Sequence, residues 1–207
     1  MSALVHIVDG DAASQAGIDR MLRACGYETK AYVSADEILN HRPDIESASC
    51  VVIDTRAPDK SIPDVVNLFS KAGLNLPVIF LTDQGDVRVG VRAIKAGAED
   101  FFTKPVERDE FIGAIDRAIS RHRLVNEHES WVRTGFASLR RLTKRERQVF
   151  DLVVRGKMNK QIAFELGTTE RTIKAHRHKV MEKMQVRSVV ELVTSAERLG
   201  LIRPDSP

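Results

Sequence analysis

Four polar side chains follow four short apolar runs in the first half of the chain, each at the point where a buried strand would end. The runs are LVHIV, CVVID, PVIFL and EDFFT, and the polar residues at their ends are Asp9, Asp54, Thr82 and Lys104. Parallel strands deliver their carboxyl ends to one edge of a sheet, so we expect these side chains to lie together. Two carboxylates can hold a divalent cation, and a hydroxyl and an ammonium can bind a phosphoryl group. The pattern predicts phosphoryl chemistry.

Each of these residues also has an ordinary structural explanation. The neighbouring Asp11 can cap the helix that follows it, and Asp54 can end a strand in the turn TRAPD. Lys104 with Pro105 is a common loop dipeptide. The functional interpretation depends on all four strand ends carrying a polar group at once.

The elements that position this pocket alternate between strand and helix. EDFFT is a weaker strand than the other three, as is ETKAY, which lies between the first two runs. Four intervening stretches show apolar residues at helical spacing. These stretches are SQAGIDRMLRACG, SADEILN, DVVNLFSKAG and DVRVGVRAIKAG. The alternation predicts an α/β fold, a five-stranded, doubly wound parallel sheet covered on both faces, over residues 1–121.

From Glu107 onward the sequence is helical. The stretch ERDEFIGAIDRAISRHRLVNEHESWVRT predicts one long helix, and residues 122–138 are expected to be a helical linker. Residues 139–207 predict an all-α domain of four helices. Capping boxes are expected at two helix starts, Thr143 with Glu146 and Ser188 with Glu191.

Charge is unevenly divided along a chain whose formal net charge is +3. Residues 1–125 contain 15 Lys and Arg against 19 Asp and Glu, and residues 126–207 contain 17 against 10. The second part therefore has the charge expected of a protein that binds a polyanion. With no long apolar run and no signal-peptide pattern, we expect a cytoplasmic protein without a membrane partner.

Residues 4–121 resemble the receiver domains of two-component response regulators. The resemblance rests on VIDTRAP, PVIFLT, AIKAGAEDFFTKP and the acidic stretch at Asp9. It implies that Asp54 accepts a phosphoryl group from a histidine kinase with Mg²⁺ in place. It also implies that Thr82 and Lys104 contact that group, and that Thr82 and Phe101 form a switch pair.

The same resemblance implies a set of metal ligands: Asp9, Asp54 and the backbone carbonyl of Arg56. Asp11 and Asp83 are two candidates for a substitute ligand. Three residues depart from the receiver pattern. Gly10 stands where a second acidic ligand is usual, Asp83 where a small residue follows the threonine, and Ile62 where a loop glycine is usual. Losing one carboxylate weakens Mg²⁺ binding, and Asp83 places negative charge near an incoming phosphate.

The helices NKQIAFELG and TERTIKAHRHKVMEKM, joined by a tight turn, predict a helix-turn-helix. In the second helix, Ile173, Val180 and Met184 share one face, which suits packing on the domain core. A second, basic face is free to enter a major groove. Its residues are Arg171, Lys174, Ala175 and His178.

Residues 139–202 resemble the LuxR-type DNA-binding domain along nearly the whole domain. The resemblance implies that Lys174, Ala175 and His178 face bases. Phosphate contacts are implied for Asn159, Lys160, Thr172 and Arg177. The last helix, from Ser188, either forms a dimer contact through Leu192, Val193 and Ala196 or completes the core.

Together these features predict a DNA-binding transcriptional regulator of the NarL/FixJ type, not an enzyme, that works as a homodimer at least on DNA. An alternative is a phosphorylation-independent regulator that dimerises constitutively or responds to another ligand. A second is a small phosphoryl-transfer enzyme using Asp54, Lys104 and a metal. A third is an adaptor that only binds other proteins.

Overall fold

The computed structural model describes residues 3–41, 48–56, 61–83 and 87–202. The chain divides into two units, Met1–Glu127 and His128–Pro207. Each unit has its own hydrophobic core.

The first unit is built on a five-stranded parallel sheet with strand order β2-β1-β3-β4-β5. The strands are β1 Leu4–Val8, β2 Glu28–Tyr32, β3 Ser49–Asp54, β4 Val78–Thr82 and β5 Asp100–Thr103. The strand order reverses direction between β1 and β3, which places a crevice at their carboxyl ends. The sheet confirms the predicted α/β fold.

Helices cover both faces of this sheet, which is why all six residues of β3 are buried. The helices are α1 Ala12–Ala24, α2 Ala35–His41, α3 Ile62–Lys71, α4 Val87–Lys95 and α5 Arg108–Arg140. On one face α1 and α5 contribute Leu22 and Phe111 to the core. On the other face α2, α3 and α4 contribute residues such as Ile38 and Phe69.

Helix α5 extends further than the sequence pattern indicated. It continues through Gly135 to Arg140, and it contains residues 122–138, the predicted linker. A Cβ at Gly135 would lie 2.8 Å from Leu199 Cδ2, so the side chain of Leu199 packs against the bare backbone there. This glycine serves close packing and does not end the helix.

Four shorter helices complete the second unit, as predicted. They are α6 Lys144–Val153, α7 Asn159–Glu165, α8 Glu170–Met184 and α9 Val189–Arg198. The capping box at Thr143 and Glu146 is present. At the start of α9, Ser188 Oγ accepts from the Glu191 N–H, but the Glu191 carboxylate accepts from the N–H of Arg187 instead of Ser188.

Leu192 and Ala196 of α9 are buried in the core of the second unit, so these two residues complete the core. Val190, on the same helix, is exposed. Among the helices that the structure describes, none has the length and hydropathy needed to cross a membrane.

A buried histidine lies in the middle of β1. His6 is 1% exposed, and its Nδ1 lies 3.2 Å from the hydroxyl of Tyr32. Its Nε2 has no hydrogen-bond partner among the described residues. Burial, with Lys30 and His122 nearby, lowers the pKa of His6 to about 4, so the folded protein keeps this ring neutral.

We expect His6 to make the first unit less stable in acid. In the unfolded chain this imidazole has the ordinary histidine pKa of 6.5, whereas in the folded protein its pKa is about 4. The free energy of unfolding is therefore unaffected by His6 well above pH 6.5. It falls as the pH drops toward 4, and the loss is about 2 kcal/mol at pH 5. Urea unfolding followed by circular dichroism at about pH 7 and pH 5 measures the loss.

His6→Leu is the control, because it removes the titrating group and should flatten this pH dependence. Trp131, which packs in the second unit, provides a fluorescence signal for that unit alone. An identical pH dependence in wild type and variant would contradict the prediction.

Candidate functional site

Asp54 and Lys104, fifty residues apart in sequence, meet at the carboxyl edge of the sheet. Asp54 ends β3 beside Leu81 of β4, and the N–H of Lys104, just after β5, donates to the carbonyl of Thr82 at 2.7 Å. The Lys104 ammonium forms an ion pair and hydrogen bond with Asp54 Oδ2. The same Nζ lies 2.7 Å from Ser14 Oγ. The strand register therefore brings the carboxylate and the ammonium together.

Asp9, after β1, lies at the same edge. Its Oδ1 accepts a hydrogen bond from the N–H of Asp11 at 2.9 Å. Its Oδ2 is buried without a hydrogen-bond partner among the described residues, and Lys104 Nζ is 3.6 Å away. Asp9 thus contributes a second negative charge beside Lys104.

Asp11 caps α1. One of its carboxylate oxygens accepts from the N–H groups of Ala13 at 2.9 Å and Ser14 at 3.3 Å. These bonds lower the pKa of the exposed Asp11 carboxyl. Its role in the structure is the helix cap that the sequence allowed as the ordinary explanation.

The side chain of Arg56 lies directly on Asp54. Its Nη2 is 3.1 Å from Asp54 Oδ2 and its Nε is 3.3 Å from Oδ1, while its backbone N–H donates to Oδ1 at 2.8 Å. Its Nη1 forms an ion pair with Asp83 Oδ2 at 2.9 Å. Sequence reasoning assigned only the backbone carbonyl of Arg56 to the pocket and missed this guanidinium.

A signal for that contact was present in the sequence. Arg56 and Asp83 have opposite charges and follow the ends of β3 and β4, which are neighbours in the sheet. Side chains at the ends of adjacent parallel strands lie close enough to pair, so the two residues were candidates for an ion pair.

The Asp54 carboxyl is held in its ionised form. Burial alone raises its pKa, but the hydrogen bonds from Arg56 and Lys104 outweigh burial, and the pKa lies below its usual value. A carboxylate that is ionised at neutral pH is a nucleophile.

The donor set around Asp54 fits a divalent cation poorly. Gly10 supplies no side-chain ligand, and the Asp11 carboxylate is engaged in the cap of α1. Within the described ranges, no three His, Cys, Asp or Glu side chains are arranged to hold a metal ion. Arg56 donates hydrogen bonds to both oxygens of the Asp54 carboxylate, so a metal ion would have to displace the guanidinium to bind there.

The predicted switch residues lie on neighbouring strands. Thr82 is buried at the end of β4, and Phe101 is partly exposed on β5. The Phe101 ring packs against Gly90 of α4, where a Cβ would lie 3.1 Å from the ring. Phe101 also lines a groove of about 580 Å³ with apolar residues of α4, including the exposed Val87 and Ile94.

In the second unit, α8 presents the expected two faces. Ile173, Val180 and Met184 are buried in the core. The basic face lies away from that core, and its residues Arg171, Lys174, Ala175 and His178 are all exposed.

The four residues proposed to contact phosphates lie on α7 and α8. Arg177 Nη1 donates to Asn159 Oδ1 at 2.6 Å, which links the two helices. Thr172 is hydrogen-bonded to Thr169, the N-cap of α8, with 2.9 Å between their hydroxyl oxygens. Lys160 is exposed on α7.

An ion pair between the buried Glu146 and the partly buried Lys183 fixes the C-terminal end of α8. Glu146 of α6 accepts hydrogen bonds from Lys183 Nζ at 2.6 Å and from the Thr143 N–H at 2.8 Å. These two bonds lower the pKa of the Glu146 carboxyl. Lys183 also donates to the carbonyl of Arg141 at 3.2 Å. The contacts hold α8 against α6.

Comparison with known proteins identifies both units. Residues 5–116 match the family model of the response regulator receiver domain. Residues 140–196 match that of the bacterial regulatory proteins of the luxR family.

Similar proteins share both units. The chain is 39% identical over 197 residues to the response regulator protein TmoT of Ectopseudomonas mendocina, covering 95% of this chain and 89% of that protein. It is 38% identical over 193 residues to the transcriptional regulatory protein FixJ of Rhizobium meliloti, covering 93% and 94%. The low-resolution structure of the response regulator StyR is similar with a TM-score of 0.81 at 36% identity, covering 96% of this chain and 100% of that chain.

We expect Glu146→Gln to destabilise the second unit. The substitution leaves the ammonium of Lys183, only 25% exposed, without its charged partner. The expected loss is about 1 to 3 kcal/mol of unfolding free energy, measured by Trp131 fluorescence in urea. Glu191→Gln is the matched control, because Glu191 also caps a helix but is exposed. Equal losses of unfolding free energy in both variants would contradict a special role for the Glu146–Lys183 pair.

Proposed function

The chain belongs to the response regulators that join a receiver domain to a LuxR-type DNA-binding domain, and we propose that phosphorylation of Asp54 by a histidine kinase controls its binding to DNA. It is a two-component transcriptional regulator, and its relatives are regulators of the same kind.

The observation that carries the proposal is the ionised, buried Asp54 carboxylate paired with Lys104. In the reaction, an oxygen of Asp54 forms a bond to phosphorus while the bond from phosphorus to the kinase histidine nitrogen breaks. The released imidazole nitrogen keeps that bond's electron pair and takes up a proton. Lys104 and Thr82 then donate hydrogen bonds to the phosphoryl oxygens.

The phosphoryl group changes the charge of the pocket, and the surface near α4 carries the change outward. Phosphorylation adds roughly −1.5 to −2 charges at Asp54. Thr82 and Phe101 form the switch pair: the hydroxyl moves toward the phosphoryl group, and the ring leaves its place against Gly90. The apolar groove beside α4 then changes shape, which favours a homodimer.

DNA is bound by the basic face of α8. Lys174, Ala175 and His178 read base edges in the major groove. The sugar-phosphate backbone is held by Asn159, Lys160, Thr172 and Arg177. The protein works as a homodimer on DNA, in the cytoplasm, with one recognition helix for each half-site.

Receiver domains typically bind Mg²⁺ for phosphorylation. In this chain Asp9, Asp54 and the backbone carbonyl of Arg56 remain as candidate ligands. Because Gly10 supplies none and Asp11 caps a helix, Mg²⁺ binding is expected to be weak.

A second candidate is a receiver that does not use phosphorylation. The observation that favours it is the contact of Arg56 with both oxygens of Asp54, together with the negative charge of Asp83. In that case the protein dimerises constitutively or responds to another ligand.

We expect wild-type protein treated with phosphoramidate to gain the mass of one phosphoryl group and to form dimers. Asp54→Asn should show neither the added mass nor the dimer, because a neutral amide replaces the nucleophilic carboxylate. Intact-mass spectrometry and size-exclusion chromatography measure both. An unlabelled wild type that is dimeric from the start would support the second candidate.

We also expect Lys160→Ala and His178→Ala to change DNA binding in different ways. Lys160→Ala should weaken binding to all sequences about equally and lower the slope of log affinity against log salt by about 1. His178→Ala should relax the preference at one base position, at a cost of about 1 to 3 kcal/mol for the preferred sequence. Selection from random duplex DNA, followed by salt titration, separates the two effects. If both variants lose sequence preference and salt dependence to the same extent, the assignments of Lys160 and His178 are wrong.

A further inference from the structure

The guanidinium of Arg56 connects two carboxylates at the ends of neighbouring strands. The N–H of Thr55 donates to the carbonyl of Leu81 at 2.7 Å, so β3 and β4 stay paired up to the pocket. Beyond this point Arg56 donates to both oxygens of Asp54 and pairs with Asp83. A planar fork of donors suits two carboxylates at once.

The charges around Asp54 show why a cation is needed there. Among the residues that the structure describes at this edge, Asp9, Asp54 and Asp83 bring three negative charges, and Lys104 by itself would compensate only one of them. Lys104 bonds to Asp54 Oδ2, whereas Oδ1 is bonded to Arg56. A divalent ion needs several oxygen ligands to enter such a site, but a guanidinium brings its own hydrogen-bond donors.

We propose that the side chain of Arg56 takes the place of the divalent cation beside Asp54, and that Asp83 positions it. Two departures from the receiver pattern then belong together: Gly10 removes a metal ligand, and Asp83 holds the cation that replaces the metal. On phosphorylation, a step that rests on the function proposed above, the same guanidinium donates to the phosphoryl oxygens.

Asp83 positions the side chain of Arg56 and contributes little to the stability of the fold. The side chains of Arg56 and Asp83 are 51% and 43% exposed. Ion pairs this exposed contribute little to folding, because solvent screens them. The pair instead limits where the long arginine side chain can lie.

Binding of Mn²⁺ to the full-length protein tests the proposal without any phosphorylation. The variants are Gly10→Asp, Arg56→Met and the double variant Gly10→Asp with Arg56→Met, titrated by the water-proton relaxation of Mn²⁺. We expect the double variant to bind about tenfold or more tightly than Gly10→Asp alone, because the guanidinium competes for the same place. Wild type and Arg56→Met should bind most weakly.

A matched control separates position from overall charge. Gly10→Asp with Arg20→Met removes an exposed arginine of α1 instead, and it should bind Mn²⁺ like Gly10→Asp alone. Circular dichroism verifies that each variant is folded. Equal Mn²⁺ affinity in Gly10→Asp and in its double variant with Arg56→Met would overturn the proposal.

Labelling with phosphoramidate, with Mg²⁺ or with EDTA, provides a second measurement. Wild type should be labelled in EDTA at a rate within a few-fold of that in Mg²⁺, and Arg56→Met should lose about tenfold or more of its rate in EDTA. Asp83→Asn should fall between them. Labelling of wild type that requires Mg²⁺ would overturn the proposal. If no variant is labelled under any condition, the proposed phosphorylation fails, while the Mn²⁺ affinities still decide the role of Arg56.

Discussion

A buried carboxylate at the end of a central strand needs a cation, and much of the first unit is arranged to supply it. Asp54 loses its water shell at the end of β3, and an unpaired charge there would cost several kcal/mol. The register of β3, β4 and β5 brings the ends of these strands level, so that Lys104, just after β5, reaches Asp54 across the end of β4. The helices on both faces exclude water from the sheet. The lower effective dielectric constant there strengthens the attraction between Asp54 and Lys104.

The fold was readable from the sequence where burial is complete. The apolar run CVVID became β3, with every residue buried, and Thr143 capped α6 as its pattern indicated. The stretch that predicted the long helix stopped at Thr134, whereas α5 continues through Gly135, where the side chain of Leu199 packs against the bare backbone. The sequence pattern does not show that contact.

The pocket was readable only in part. Strand ends identified Asp9, Asp54, Thr82 and Lys104, because the course of the backbone alone brings these positions to one edge. Arg56 was missed because a long, flexible side chain takes its position from its partners, here Asp54 and Asp83. The sequence allowed Asp11 to be either a helix cap or a substitute metal ligand, and the hydrogen bonds in the first turn of α1 show that it caps the helix.

The hydrogen bond between Arg177 and Asn159 bears on the speed and selectivity of the DNA binding proposed above, in which both residues contact phosphates. A free arginine loses about 2 kcal/mol of rotamer entropy when a ligand fixes it. Because Asn159 already restrains Arg177 in the folded protein, much of this entropy is lost when the chain folds and not when DNA binds. A surface restrained in this way meets DNA with little rearrangement, which favours fast association and penalises duplexes whose phosphates are spaced differently.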